Sequence, residues 1–256
     1  MVRHLPSPLA KANSLPDQGR SISRYASDDP KYRALSAKML AIMLTGLTGT
    51  LFIYQGQEIG MINVPRSWPI EDFKDIESLG FYKRIATSTN NNKEALDRVM
   101  QGLQILGRDN PRLPMQWDST PYAGFTDNPK GAWMRVHDLY PEINVARQLQ
   151  DPDSPRAFWK SMIRLRKQFK EVLIHGTFEL FDADNERTFV FSKSNGNQKA
   201  VVTLNFTSTE QGVVLPFDGL TYCVGNYEDA KAVEQTSAGR ARVLRAWEGR
   251  LYMSGR

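Results

Sequence analysis

The sequence has 256 residues, enough to bury a sizeable core as one large domain or two ordinary ones. Its hydrophobic share of 41% and charged share of 24% are those of a soluble globular protein. The net charge of +5 comes from 33 basic residues interspersed among 28 acidic ones, with no Lys/Arg run, which argues against a nucleic-acid partner.

The first residues, Met1 to Pro16, carry three prolines and no periodicity, and read as loop or disorder. They hold no apolar core of a secretion signal. Asp28 and Asp29 are N-cap candidates before Pro30, which suits the first helical position. Tyr32, Leu35, Met39, Ile42 and Met43 then recur at helical steps and predict an amphipathic helix ending at Gly46. Leu51-Phe52-Ile53-Tyr54 is a continuous apolar block and predicts a strand buried on both faces, as in a parallel α/β sheet. The whole apolar stretch Met39–Tyr54 is too short and too interrupted by Thr and Gly to span a bilayer, so no membrane is expected.

A polar glycine-bearing loop, Gln55 to Gly60, follows. Asp72–Ala86 and Lys93–Leu106 read as short helices on either side of Asn90-Asn91-Asn92. The Pro-, Trp- and Gly-rich stretch after them is long for a connection and reads as an ordered functional loop. A second strong helix starts at Pro155, with Phe158, Met162, Leu165 and Phe169 as its apolar stripe. After Val172, strand-like runs follow at Thr177–Phe181, Thr188–Ser192, Ala200–Asn205, Gly212–Phe217, Leu220–Val224 and Arg242–Met253. Turn residues separate them, the pattern of an antiparallel β-sandwich. The single cysteine, Cys223, allows no intramolecular disulfide and no cysteine-based zinc site. It fits a reducing, cytoplasmic compartment. His4, His137 and His175 lie far apart without ligand spacing, so no metal and no other cofactor is expected.

Four segments in order resemble one family. They are DQGRSISRYASDD (Asp17 to Asp29), GTLFIYQGQEIGM (Gly49 to Met61), DNPRLPMQW (Asp109 to Trp117) with GFT at Gly124 to Thr126, and FWKSMIRLRKQ (Phe158 to Gln168). FKDIES (Phe73 to Ser78), AWMRV (Ala132 to Val136) and HGTFELFD (His175 to Asp182) agree with them. The pattern resembles the last blocks of the α-amylase superfamily, glycoside hydrolase family 13, in its fungal maltase and oligo-1,6-glucosidase style. The resemblance implies a fold that is α/β plus all-β: the C-terminal part of a (β/α)8 TIM barrel followed by an antiparallel β-sandwich. Residues 1–16 fall outside the family pattern, 17–170 would be the partial barrel with a loop subdomain, and 171–256 the β domain.

Retaining glycoside hydrolysis needs a nucleophile and a general acid/base about 5–5.5 Å apart. The resemblance adds a third carboxylate, which stabilises the transition state. Asp17 falls at that third position, with Gln18 as an aglycone-side contact. Leu15 and Pro16 stand where the family has Asn and His, so the family's histidine donor is missing. Arg112 matches the arginine that holds the terminal glucose, a role a planar, always-charged guanidinium suits. No nucleophile block is found in these residues. Glu58, an acid in a loop after an apolar block, takes a structural role by the same resemblance. Trp117, Trp133 and Tyr122 are candidates for stacking on a sugar, against the commoner fate of core packing. The implied partner is a small α-glucoside oligosaccharide, and the implied outcome for the 256 residues alone is no turnover. A non-catalytic carbohydrate-binding or regulatory module, and the product of a damaged gene, are the alternatives. Oligomeric state and linkage preference are not legible in the sequence.

Overall fold

The computed structural model describes residues 18–128, 130–235 and 239–254. In chain order the helices are α1 (Ser21–Tyr25), α2 (Arg33–Gly46), α3 (Ile76–Ser88), α4 (Lys93–Leu106), α5 (Val145–Leu149), α6 (Pro155–Gln168), α7 (Lys170–Leu173) and α8 (Ala230–Gln235). The strands are β1 (Thr177–Phe181), β2 (Thr188–Asn195), β3 (Gln198–Asn205), β4 (Gln211–Val214), β5 (Thr221–Gly225), β6 (Ala241–Leu244) and β7 (Gly249–Ser254). The chain divides into two compact units. One is built from described residues 25–52 and 157–254, the other from 18–24 and 53–156.

The first unit is a helix-covered β structure. Its main sheet is antiparallel in the order β1-β2-β3-β7-β5, and β4 and β6 form a second, two-stranded sheet. The β2–β3 hairpin turns through Gly196 and Asn197, with Asn195 opposite Gln198. Gly196 sits at φ 57°, where a side chain would be strained. Val190 and Val201 from the large sheet share one core with Val213 and Leu244 from the small one. Alternation along these strands puts such residues on one face.

Helix α2 lies against the large sheet. A Cβ on Gly249 would meet Leu204 at 2.8 Å, Met39 at 3.2 Å and Ile42 at 3.3 Å, so the helix and β7 approach as closely as glycine allows. Every α2 residue from Ser36 to Gly46 is buried, and each Leu, Ile or Met so enclosed contributes about 1.5–3 kcal/mol. The helix begins at Arg33, later than the Asp-Asp-Pro signal predicts. Asp29 instead accepts a hydrogen bond from the Lys31 backbone N–H at 2.8 Å and closes a turn ahead of the helix. At its other end Arg166 of α6 donates to the carbonyls of Thr45, Leu47 and Gly49. These include carbonyls that the helix end leaves without an intrahelical partner.

The predicted strand Leu51–Tyr54 does not form. The segment carries no regular secondary structure, and Phe52 is 65% exposed. A buried strand exists only against neighbours. The described strands pair antiparallel among themselves, and none lies beside this segment.

The second unit is built mainly of helices and ordered loops. Its core gathers Ile59, Met61, Val64, Trp68, Phe73, Leu113 and Met115. Helices α3 and α4 form an antiparallel pair joined at Asn90 and Asn91, both in the left-handed region. Asn tolerates that region better than most residues. Asn92 then caps α4 by accepting from the Ala95 N–H at 3.0 Å. No described helix is long and apolar enough to cross a membrane.

Candidate active site

The functional loop is organised by what ends α4. Gly107 closes the helix by donating its N–H to the Leu103 carbonyl at 2.7 Å. Asn110, fully buried, donates to the carbonyls of Leu103 (3.1 Å) and Gly107 (2.9 Å), and its side-chain oxygen accepts from the Val64 N–H at 3.0 Å. Asp109, also buried, accepts from the backbone N–H groups of Lys74 (2.7 Å) and Asp75 (3.1 Å). A buried carboxylate satisfied by backbone donors is a rigid anchor. These two residues fix where Arg112 emerges.

Arg112 donates from Nη1 to Asp75 Oδ1 at 3.1 Å. Its own carbonyl accepts the indole N–H of Trp133 at 3.1 Å. Asp75 is also the N-cap of α3, and its other oxygen accepts from the Ser78 N–H at 3.0 Å and the Ser78 hydroxyl at 3.1 Å. Burial pulls the Asp75 pKa upward. The Ser78 hydrogen bonds, followed by Arg112 and Arg108, outweigh it and hold the carboxyl below its ordinary range. Arg112 therefore faces an ionised carboxylate while its side chain keeps 40% of its exposure. A planar, always-charged guanidinium suits a polyhydroxylated ligand.

Arg20 ties the loops together from below. Its side chain is 1% exposed and donates to the carbonyls of Asn110 (3.2 Å), Pro111 (3.0 Å) and Gln55. Its carbon lies 5.5 Å from the centre of the Tyr54 ring. Burial lowers its pKa to about 10, against the opposing influence of Tyr54 and Glu58. Glu58 is pushed up by burial, against backbone hydrogen bonds and the charges of Arg20 and Arg156. Its Oε2 is buried and finds no hydrogen-bond partner among the described residues.

Of the residues the sequence singled out, Asp17 lies outside the described residues. Gln18 is half-buried, and its side-chain oxygen accepts from Arg24 at 3.2 Å. Trp133 is 58% exposed and packs edge-on against Phe125, with ring centres 5.0 Å apart. Trp117 is 49% exposed, and its backbone N–H donates to the Ala123 carbonyl at 2.8 Å. That carbonyl belongs to a turn in which Tyr122, Ala123 and Gly124 all have φ near +60°. Non-glycine residues occupy that region at a cost. His137 is buried, with one ring nitrogen 3.0 Å from the Asn63 carbonyl and the other accepting from the Leu139 N–H. Among the described residues no group of three or more His, Cys, Asp or Glu is placed to hold a metal ion.

Sequence reasoning gave no role to Asp75 or Arg20. Asp75 carried a legible signal, the Asp-Ile-Glu-Ser spacing of a helix cap. Arg20 carried none, because three carbonyl partners distant in sequence cannot be read from its neighbours.

Residues 13–176 match the family model described as the α-amylase catalytic domain. An α-glucosidase of Schizosaccharomyces pombe is 39% identical over 215 residues, covering 83% of this chain and 37% of that protein. An oligo-1,6-glucosidase of Saccharomyces cerevisiae is 37% identical over 243 residues, covering 93% of this chain and 40% of its own length. Among solved structures, the trehalose-6-phosphate hydrolase of Bacillus licheniformis superposes with a TM-score of 0.83 at 32% identity, over 94% of this chain and 42% of that one. The chain thus spans about two fifths of the length of the relatives it matches. With the family model matched over more than half of its residues, the chain belongs to the α-amylase family through that family's catalytic domain.

Proposed function

We propose that the chain is the sugar-gripping, C-terminal portion of an α-glucosidase-type retaining glycoside hydrolase. Its substrates are small α-glucosides of the maltose, isomaltose or sucrose kind. In this reading residues 17–170 form the last part of a (β/α)8 barrel with its loop subdomain, and 171–256 form the β-sandwich. Asp17 is the transition-state carboxylate, Gln18 contacts the aglycone side, and Arg112 holds the terminal glucose. The single cysteine supports a reducing, cytoplasmic setting.

One observation carries the reading. Arg112 is held by Asp75 on a loop anchored by buried Asp109 and Asn110, and its side chain is 40% exposed. The same 256 residues contribute at most one of the carboxylates that hydrolysis requires, so on their own they do not turn over. The test uses the full 256-residue chain. No glucose or p-nitrophenol should be released from p-nitrophenyl α-glucoside, while calorimetry with maltose should show weak binding that Arg112→Ala abolishes. Release above the buffer rate would overturn the inactivity. Maltose heats unaffected by Arg112→Ala would overturn the site.

A further inference from the structure

Helices α3 and α4 line a groove of about 500 Å³. Phe81 of α3 and Val99, Leu103 and Leu106 of α4 give it an apolar surface. Val99 is buried and Leu103 packs against the core of its unit, so this floor is formed in advance of any ligand. Phe81 is 42% exposed and Leu106 62% exposed, apolar area left in water. Gly102 lines the same groove from the interior of α4, where glycine weakens a helix relative to alanine. Neither a left-handed backbone nor close packing requires it. Its φ is not positive, and among the described residues a Cβ there would meet nothing within 4 Å. The effect of the glycine is to leave the space above the floor unfilled.

The charges around the groove indicate the occupant. Asp75 receives Arg112 at 3.1 Å, Glu77 pairs with Arg108 at 2.8 Å, and Arg98 pairs with Glu94 at 2.5 Å. Each charged group that lines the groove thus has an opposite partner. A charged ligand would have to displace one of those partners, and a sugar would set its hydroxyls against an apolar floor. An uncharged apolar molecule does neither, and gains by leaving water. The volume falls within the range of small-molecule sites, about 300–1,000 Å³. We infer that the α3–α4 groove is a binding site for an uncharged, apolar small molecule, a ligand chemically unlike the α-glucoside proposed for Arg112. The inference stands on the groove alone and does not depend on that proposal.

The test is a fluorescence titration of the full 256-residue chain with N-phenyl-1-naphthylamine, an uncharged apolar dye. The expected result is a saturable rise in emission at one dye per chain. Gly102→Phe fills the open space with a residue that suits a helix better than glycine, and should weaken dye binding at least tenfold. Leu106→Lys places a charge in the groove at an exposed position and should weaken it as much. Gly102→Ala adds one methyl group, should bind the dye as the unsubstituted chain does, and should melt no lower. Circular-dichroism melting of all three variants separates loss of the groove from loss of the fold, and the exposed Leu106→Lys carries the test if Gly102→Phe does not fold. Absence of a saturable rise would overturn the inference, as would undiminished binding by the folded variants. So would displacement of the dye by maltose, or tighter binding at the same groove of the anionic dye 8-anilinonaphthalene-1-sulfonate.

Discussion

Arg112 and Asp75 are 37 positions apart, yet their side chains meet at 3.1 Å. The same carboxylate caps α3 through Ser78. One acid therefore starts a helix and aims the guanidinium, and the two tasks are separable by mutation. Asp75→Asn keeps a side-chain oxygen for the Ser78 N–H but loses the charge opposite Arg112. It should cost about 1 kcal/mol of stability, in the range of a weakened cap and charge-assisted hydrogen bond. Asp75→Ala should cost about 2 kcal/mol, because the cap is lost as well. Urea unfolding of the two variants checks the order. Equal losses would mean that the cap contributes nothing beyond the ion pair.

Removing Arg20 should be more damaging than removing Arg112. Its guanidinium satisfies the carbonyls of Asn110, Pro111 and Gln55 in a buried setting. Arg20→Met leaves these acceptors without their donor, which should cost about 3–5 kcal/mol. Arg112→Met, at a half-exposed position, should cost under about 1 kcal/mol. Hydrogen exchange would locate the damage, with faster exchange at Val64 and Gly107, whose N–H groups are bonded within this loop cluster.

Glu248 and Arg250 make a buried pair in the β unit, 0% and 1% exposed and 2.9 Å apart, with Arg245 on the second carboxylate oxygen at 3.2 Å. Burial raises the Glu248 pKa, and the hydrogen bonds from Arg250 and Arg245 more than reverse it, so the folded value lies below the ordinary one. The sign follows. The pair's contribution is present above the carboxylate's unfolded value of about 4.3 and is lost as pH falls through the lower folded value. Glu248→Gln leaves Arg250 without its counter-charge and should cost about 3–5 kcal/mol at pH 7. It should also flatten the acid limb of a stability–pH curve. An unchanged acid limb in the variant would refute the assignment.

Much of this molecule was readable from residue order. Helix α4 spans the predicted Lys93–Leu106, and β1 the predicted Thr177–Phe181, because local periodicity and turn residues decide such elements. That the stretch carrying Arg112 is an ordered loop was legible from its length and composition, and Asn110 anchors it. Leu51–Tyr54 was not, because a buried strand is a statement about neighbours and not about its own apolar pattern. Helix α8 went unseen in the connection between two runs read as strands. The partners of Arg20, Arg166 and Lys193 are non-local and leave no periodic trace.

Lys193 provides the alkaline counterpart to Glu248. Its ammonium lies on buried strand β2 and donates to the Thr48 hydroxyl at 2.6 Å, with no carboxylate in ion-pair range among the described residues. Burial, and then the nearby charge of Arg166, push its pKa down to about 8. An unfolded lysine titrates near about 10.4. Between those values the unfolded chain binds more protons than the folded one, so stability should rise with pH across that window. Below about pH 8 the penalty of burying the charge is fully present. Lys193→Met removes the charge at similar volume. It should gain about 1 kcal/mol at pH 7, a discounted share of the burial penalty, and lose the rise between pH 8 and 10. Urea midpoints at pH 7 and 9.5 for both proteins decide it. A parallel rise in the variant would mean that another group titrates there.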